Sequence, residues 1–257
     1  MPTPRFYFPE KLALGAIVTL PENAAIHACR ALRLQVGDAA TLFNGDGYDY
    51  GCEVLFIKKN TVTAKVKTLN RVDNESPLKV TLAQAISSGD RMDFTIQKAV
   101  EMGVTAIQPI ASQRSVVKLT RERADKRREH WQNVVISACE QSGRAIIPEV
   151  FPPLSLANWL GTLTPSPQRG EGSGEGKAPL KLSLSPTATQ TLHDLSKPTG
   201  EVCLLIGAEG GLTPEEVDLA ASQNFIAVRL GKRILRTETA ALAALATMQT
   251  LWGDYMA

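Results

Sequence analysis

The stretch LLIGAEGGLTPEEV, residues 204–217, decides the fold of the second half of this chain. An apolar run ends in the glycine turn Gly207-Ala-Glu-Gly-Gly211, and Thr213-Pro-Glu-Glu216 follows at once. A threonine N-cap, a proline at the first helical position and a glutamate three residues after the cap predict that a helix begins there. The segment therefore indicates a buried strand, a glycine turn and a helix, as in α/β proteins with a parallel sheet.

The carboxylate of Glu209 bears on what such a turn can bind. Glycine turns before helices often hold phosphate on their backbone N–H groups, but Glu209 would repel one, and the helix N-terminus already has acids of its own. Neither the G-x-G-x-x-G fingerprint nor the G-x-x-x-x-G-K-[ST] loop is present. The turn favours a ligand that carries amines and hydroxyls, with a purely structural turn as the alternative.

A second segment, VRLGKRILRTETAALAALATM (residues 228–248), repeats the arrangement of strand, glycine, short loop and helix, the helix beginning near Thr237. Ligands of open α/β sheets bind at the carboxyl ends of the strands. Two such loops side by side predict one pocket. The alternative for AALAAL is an ordinary stripe of helix core.

The rest of the chain divides into two predicted domains. Short β-branched strands at ATLF, CEVLFI and TVTAKVKTL, with Asn/Asp/Gly turns between them, predict a small β-barrel or sandwich over residues 1–72. After DNESP (residues 73–77), strands and helices alternate, which predicts an α/β domain over residues 76–257. Residues 161–179 hold five glycines and three prolines and few apolar residues, so a disordered surface insertion is expected there.

Composition restricts the class of protein. The apolar fraction is 44%, no run approaches the roughly 18 apolar residues of a membrane helix, and the start has no apolar signal region. Four scattered cysteines and three isolated histidines argue against a disulfide framework and a metal site, and favour the cytoplasm. Residues 1–71 carry nine Lys/Arg against six Asp/Glu, and residues 201–257 four against seven. The uneven charge indicates a polyanion partner for the N-terminal part, unless it is random surface charge.

Several motifs in order along the chain carry a family resemblance. IGAEGG followed by LGKRILRTETA resembles the cofactor-binding signature of the SPOUT superfamily of RNA methyltransferases, and PRFYF, HACRALRLQVGD, ESPLKVTLAQ, DFTIQKAVEMGV and ACEQSGR extend the likeness over most of the chain. Within the superfamily the chain resembles the enzymes that make N3-methyluridine in 16S rRNA of the small ribosomal subunit. The insertion at residues 161–179 departs from this pattern.

The resemblance implies an α/β fold: a small N-terminal PUA-like β-barrel that binds RNA and a C-terminal α/β SPOUT domain with a trefoil knot, which forms a homodimer. It also implies S-adenosyl-L-methionine as the cofactor, whose amines and hydroxyls suit a glycine turn containing Glu209. By this resemblance the residues that bind the cofactor are Leu204, Ile206, Gly207, Glu209, Gly210, Gly211, Leu230, Gly231, Ile234, Leu235, Arg236 and Thr239.

Methylation of uridine N3 requires loss of its imide proton and stabilisation of negative charge on the pyrimidine oxygens. Arg236 is the first candidate for the second task, because arginine is permanently charged and donates parallel hydrogen bonds; a phosphate or carboxylate clamp is its alternative. Glu238 is a candidate base, although a glutamate in the first turn of a helix also suits the helix dipole.

Candidate RNA contacts are arginines, a lysine and a glutamine. Arg5 stands beside aromatic residues and is expected to point outward, and Arg30 and Arg33, three residues apart, are expected to share one helical face. Arg114, Lys118 and the basic cluster at residues 121–128 are candidates for phosphate contact. By family likeness Gln141 and Arg144 face the target base.

Two other functions remain open at this point. The first is a SPOUT methyltransferase that acts on tRNA or on a ribose 2′-hydroxyl. The second is a non-catalytic RNA-binding factor in ribosome assembly that has kept the fold. A general nucleotide-binding protein is disfavoured, because both phosphate-binding motifs are missing.

Overall fold

The structure is a computed structural model that describes residues 3–115, 121–163 and 179–256. The chain divides into two compact units: Met1–Glu75 with Ile136–Ile147, and Ser76–Val135 with Pro148–Ala257. The division at Glu75 falls inside the DNESP segment. In the part of the chain that the structure describes, no helix is both long and apolar enough to cross a membrane.

The first unit is built on one five-stranded sheet. Its elements are β1 (Arg5–Tyr7), β2 (Ile17–Thr19), α1 (Glu22–Ile26) with a π-helical turn (His27–Ala31), β3 (Ala39–Phe43), β4 (Tyr48–Lys58) and β5 (Thr61–Arg71). The strand order is β1-β3-β4-β5-β2, and only the β1–β3 pair is parallel. Val62, Ala64 and Val66 alternate inward along β5 and pack in one core with Phe6 and Leu42.

The short segment Ile136–Ile147 belongs to the first unit, although the sequence placed it in the second domain. Polar contacts hold it there. The backbone N–H of Tyr7 donates to Glu140 at 2.9 Å, and the Asn74 side chain donates to the carbonyl of Gly143 at 2.7 Å. Such long-range contacts leave no local pattern in the sequence.

The second unit is a parallel α/β sheet with helices. Its strands are β6 (Val80–Ala85), β7 (Ala106–Ala111), β8 (Glu149–Val150), β9 (Leu154–Ser155), β10 (Leu180–Leu184), β11 (Val202–Ile206) and β12 (Ile226–Val228). Its helices are α2 (Asp90–Glu101), α3 (Arg121–Ser142, whose end from Ile136 belongs to the first unit), α4 (Leu156–Thr162), α5 (Pro214–Ser222) and α6 (Thr237–Trp252). The order is β12-β10-β11-β6-β7-β8, with β9 also on β7. The mixed α/β architecture predicted from the sequence is confirmed.

Apolar residues at helical spacing form the inner faces of α2 and α3. Met92, Ile96, Ala99 and Val100 are buried on α2, and Gly103 follows the helix at φ 82°. Trp131, Val135, Ala138 and Cys139 are buried along α3, and Gly143 follows at φ 79°. Glycine adopts positive φ without steric cost, which explains both helix ends.

Part of the expected insertion at 161–179 is helical, since α4 continues to Thr162. Residues 164–178 of that insertion, and the RNA candidate Lys118, lie outside the described residues.

Candidate functional site

A cavity of about 630 Å³ opens at the carboxyl ends of β10, β11 and β12. These three strands are neighbours in the sheet, so the loops that follow them meet at one edge. The lining consists of Leu184–Thr187 after β10, Ile206–Leu212 after β11, Val228–Leu235 without Lys232 around the end of β12, five residues of α5 and α6 (Pro214, Val217, Asp218, Thr237, Ala240), and Arg114. The sequence predicted a pocket formed by two loops, whereas three loops form it in the structure.

The glycine turn after β11 is closed by a short backbone hydrogen bond, from the N–H of Gly211 to the carbonyl of Ala208 at 2.8 Å. A Cβ on Gly207 would lie 2.9 to 3.0 Å from backbone atoms of Gly211 and Leu212. Gly211 has φ 70°, a conformation that side chains rarely adopt. Both positions therefore require glycine for the backbone path itself.

Glu209 holds the turn to the loop between β6 and α2. Its Oε1 accepts hydrogen bonds from the N–H and hydroxyl of Ser88 and from the Arg91 guanidinium, each at 3.1 Å. Burial raises the pKa of Glu209, but the hydrogen bonds from Ser88, from its own backbone N–H and from Arg91 together outweigh it and set the pKa below its usual value. The carboxylate inside the glycine turn thus has a structural partner of its own.

The N-terminus of α5 is fully capped, as the sequence predicted. The Thr213 hydroxyl accepts from the N–H of Glu216, and Glu216 in turn accepts from the N–H of Thr213 at 3.0 Å. Glu216 also accepts from the N–H of Gln113 at 2.8 Å. Because a buried carboxylate already occupies this helix end, it offers no site for phosphate.

A buried hydrogen-bond chain joins the last loop to the glycine turn. The Thr237 hydroxyl donates to the carbonyl of Gly207 at 2.6 Å and accepts from Gln84 Nε2 at 2.9 Å. Gln84 is completely buried at the end of β6, and Thr237 is 5% exposed. The chain fixes the start of α6 against the glycine turn, so that two walls of the cavity are held at a set distance.

Nine of the twelve residues predicted to bind the cofactor line this cavity. The other three are placed differently: Leu204 is fully buried within β11, while Arg236 and Thr239 are exposed at the start of α6 and lie outside the lining. The sequence missed the loop after β10 (Ser185–Thr187), because its place in the site depends on strand order.

The two candidate catalytic residues lie at the start of α6, with Thr237 between them in the chain. Arg236 is the N-cap residue and is exposed. Glu238 is half-buried in the first turn, and its Oε2 is buried without a hydrogen-bond partner among the described residues. A carboxylate oxygen in this state is short of hydrogen-bond donors.

The structure corrects the prediction for Arg5, which was expected to point outward. Its side chain is only 12% exposed and pairs with Asp49. It also donates to the carbonyl of Cys139 at 2.8 Å and stacks 4.5 Å above the Phe43 ring. Arg5 therefore acts within the core of the first unit.

Arg30 and Arg33 are both exposed but do not share a helical face. Arg30 lies in the π-helical turn, and Arg33 follows it with φ 54°, which ends the helical path. The prediction of one shared face is wrong, since it assumed a helix that continued through both residues.

The remaining RNA candidates are divided between buried and exposed positions. Arg144 is 4% exposed, and its Nε lies 3.1 Å from both carboxylate oxygens of Glu75. Because Arg144 is buried and paired with Glu75, it is not placed for the contact with the target base that the sequence predicted. Gln141 is exposed near the end of α3. Arg114 lines the cavity, where its Nη1 donates to the carbonyl of Gly210 at 2.6 Å.

Comparison with known families agrees with this geometry. A family model described as an RNA methyltransferase domain matches residues 74–249, and one described as an RNA methyltransferase PUA domain matches residues 20–67. The chain belongs to the RNA methyltransferase family.

Members of the family that resemble it include two proteins named ribosomal RNA small subunit methyltransferase E. The one from Buchnera aphidicola (subspecies Schizaphis graminum) is 34% identical, over 98% of this chain and 97% of its own. The one from Bacillus subtilis is 33% identical, over 86% and 85%.

Two solved structures of methyltransferases are similar along nearly the whole chain. A ribosomal RNA small subunit methyltransferase E from Neisseria gonorrhoeae, bound to S-adenosyl methionine, is 46% identical with a TM-score of 0.87, covering 99% of this chain and 100% of its own. A putative methyltransferase from Legionella pneumophila, also with bound S-adenosyl methionine, is 37% identical with a TM-score of 0.89 and the same coverage.

Proposed function

We propose that this protein transfers a methyl group from S-adenosyl-L-methionine to N3 of a uridine in 16S rRNA. The observation that carries the proposal is the cavity at the carboxyl ends of β10, β11 and β12. It lies in a chain that aligns over 99% of its length with a ribosomal RNA small subunit methyltransferase E bound to that cofactor. The resemblance to enzymes that make N3-methyluridine supplies the position on the base.

The residues of the cavity fit S-adenosylmethionine. Its volume, about 630 Å³, lies within the range of small-molecule sites. Leu184, Ile206, Leu230 and Leu235 offer apolar walls for an adenine ring. A Cβ on Gly231 would have no neighbour within 4 Å, which leaves its backbone open to the amines and hydroxyls of a ligand. The nine lining residues would hold the cofactor, and Leu204 supports them from within β11.

When bound, the cofactor supplies a methyl group on a sulfonium, which is a strong electrophile. The residues of this chain must then prepare the uridine, whose N3 carries a proton. Glu238, a carboxylate in the first turn of α6, accepts that proton. Arg236 donates hydrogen bonds to a pyrimidine oxygen, where charge develops as N3 is deprotonated. The nitrogen lone pair forms the new N–CH₃ bond as the S–CH₃ bond breaks.

RNA contacts are proposed for exposed polar groups in each unit. Arg30 and Arg33 in the first unit are exposed and contact phosphate. Arg123 and Lys126, near the start of α3, are exposed members of the predicted basic cluster and do the same. Gln141 contacts the target base, which must be unpaired or flipped out of a duplex for its N3 edge to be reached. Lys118 remains a predicted phosphate contact.

We further propose a trefoil knot in the second unit, a homodimer and a cytoplasmic location. The resemblance to SPOUT enzymes supports the first two. Exposed apolar residues at the end of α6 and just beyond it, among them Leu251, Tyr255 and Met256, support a protein interface. Cys29, Cys52, Cys139 and Cys203 are free, which suits a reducing compartment. Light scattering on the purified protein tests the dimer.

The function is tested with two measurements on the full chain. Calorimetric titration with S-adenosylmethionine should show saturable binding of one molecule per chain. Incubation of unmodified small ribosomal subunits with the labelled cofactor, followed by digestion to nucleosides, should yield N3-methyluridine. A label on a ribose hydroxyl or in tRNA would indicate another methyltransferase. Binding of RNA without any transfer would indicate an assembly factor.

Two variants test the proposed chemistry. Arg236→Gln and Glu238→Gln should lower turnover by a factor of about 10² or more while cofactor affinity stays within a few-fold. Lys197→Ala, an exposed residue outside the cavity lining, is the control and should retain full turnover. Unchanged turnover in Glu238→Gln would remove that residue from the role of base.

A further inference from the structure

The side chain of Arg114 is held against the glycine turn. It follows β7, and its Nη1 donates to the carbonyl oxygens of Gly210 at 2.6 Å and of Leu212 at 3.4 Å. A Cβ on Gly210 would lie 3.2 to 3.3 Å from Arg114 side-chain carbons, so the arginine stem packs where Gly210 has no side chain. The guanidinium is thereby fixed at the cavity wall.

Most donors of this guanidinium are left for another acceptor. An arginine side chain has five N–H groups, and the contacts within the described residues involve Nη1 alone. Among those residues no carboxylate lies within 4 Å of Arg114. Hydrogen bonds from its own backbone and from Thr213 lower the pKa of Glu215, and the charge of Arg114 adds a smaller effect. No ion pair within the described residues neutralises the positive charge of Arg114.

The cavity lining also contains two acidic residues. Glu209 is already bound to Ser88 and Arg91, and Asp218 is exposed on α5. A planar, fixed guanidinium with free N–H groups suits a carboxylate, which it binds by two parallel hydrogen bonds. S-adenosylmethionine has a carboxylate at its amino-acid end and none on its adenosine end.

We infer that Arg114 binds the carboxylate of the cofactor and so selects for the amino-acid end of the ligand. The inference rests on the proposed function. It gives Arg114 a role at the cofactor instead of the RNA phosphate contact expected from the sequence. The hydrogen bonds to Gly210 and Leu212 set its orientation before the ligand arrives, which reduces the entropy lost on binding.

The test compares two ligands that differ in the amino-acid end. Wild-type protein, Arg114→Ala and Arg114→Lys are titrated with S-adenosylmethionine and with 5′-methylthioadenosine, which lacks the carboxylate. Arg114→Ala should weaken S-adenosylmethionine binding about 10- to 100-fold, the effect of a hydrogen bond to a charged group. Binding of methylthioadenosine should change less than about threefold. Arg114→Lys should recover part of the loss, because lysine keeps the charge but not the paired donors.

Controls separate this role from a structural one. Lys197→Ala makes the same change of net charge away from the cavity and should leave both affinities unaltered. Equal weakening of both ligands by Arg114→Ala would mean that Arg114 only shapes the turn, and would overturn the inference. Unchanged binding of both ligands with weaker RNA binding would overturn it as well, in favour of a phosphate contact. If the wild-type protein bound neither ligand, the proposed function would fail, and the inference with it.

Discussion

The hydroxyl of Thr237 offers a direct test of how the two walls of the cavity are held together. Thr237→Val keeps the shape of the side chain but removes the 2.6 Å hydrogen bond to the Gly207 carbonyl and the 2.9 Å bond from Gln84. Both partners are then left short of a hydrogen bond in a buried place, although Gln84 Nε2 keeps its contact with the carbonyl of Ala85. Lost bonds and unsatisfied buried groups together cost about 2 to 4 kcal/mol.

That free energy is large enough to read in a thermal melt. For a chain of this size, we expect Thr237→Val to lower the melting temperature of the second unit by about 4 to 15 °C. Thr237→Ser keeps the hydroxyl and loses one methyl group, at a cost of about 1 kcal/mol. Adding S-adenosylmethionine should raise the melting temperature of the serine variant much as it does for wild type, and that of the valine variant less.

Serine keeps the hydroxyl of Thr237 and valine lacks it, so a comparison of the two variants tests whether the hydroxyl stabilises the second unit. If valine and serine lowered the melting temperature equally, the hydrogen-bond chain from Gln84 to Gly207 would contribute nothing to stability. If both variants also bound the cofactor as wild type does, that chain would play no part in shaping the cavity.

Three other predictions follow from the same structure. Gly207→Ala would place its Cβ within 3.0 Å of backbone atoms of its own turn, so cofactor affinity measured by calorimetry should fall by about tenfold or more. Gly161→Ala is the control, because a Cβ there has no neighbour within 4 Å, and it should bind the cofactor as wild type does. Because the pKa of Glu209 is lowered in the folded protein, its stabilising effect is present above about pH 4.3 and is lost as the pH falls through the lower folded value. The difference in melting temperature between wild type and Glu209→Gln should therefore narrow from pH 7 to pH 3, and a constant difference would contradict the assignment. Arg144→Met leaves the Glu75 carboxylate, which is 20% exposed, without its guanidinium partner. Urea titration should therefore show that the unfolding free energy of the first unit falls by about 2 to 4 kcal/mol. An unaltered unfolding curve together with weaker RNA binding would indicate that Arg144 contacts the base instead.

Local chemistry explains which features could be predicted from the sequence. The period of two in β5 and the helical stripe of α2 each depend on neighbouring residues only. The capping box of Thr213 and Glu216 spans three residues, and it is formed as predicted. Glycine at the ends of α2 and α3 follows from backbone sterics alone. Each of these features is determined by residues that are close to one another in the sequence.

Features that depend on distant residues could not be predicted. Arg5 is buried because it meets the carbonyl of Cys139, 134 residues away, and Arg144 is buried because it meets Glu75, 69 residues away. The loop after β10 joins the cavity because β10 lies between β12 and β11, an order that strand patterns do not encode. The positive φ of Arg33 ended a helical path that residue spacing alone predicted to continue.

The discontinuous first unit has a consequence for how the protein is made. Residues up to Glu75 leave the ribosome well before Ile136–Ile147, yet Arg144, which pairs with Glu75, lies in that later segment. At about 5 to 20 residues per second, the 72 residues from Ser76 to Ile147 take roughly 4 to 14 s to synthesise. During that interval the first unit lacks its last segment. An expression fragment that stops at Glu75 would remain permanently in this unfinished state.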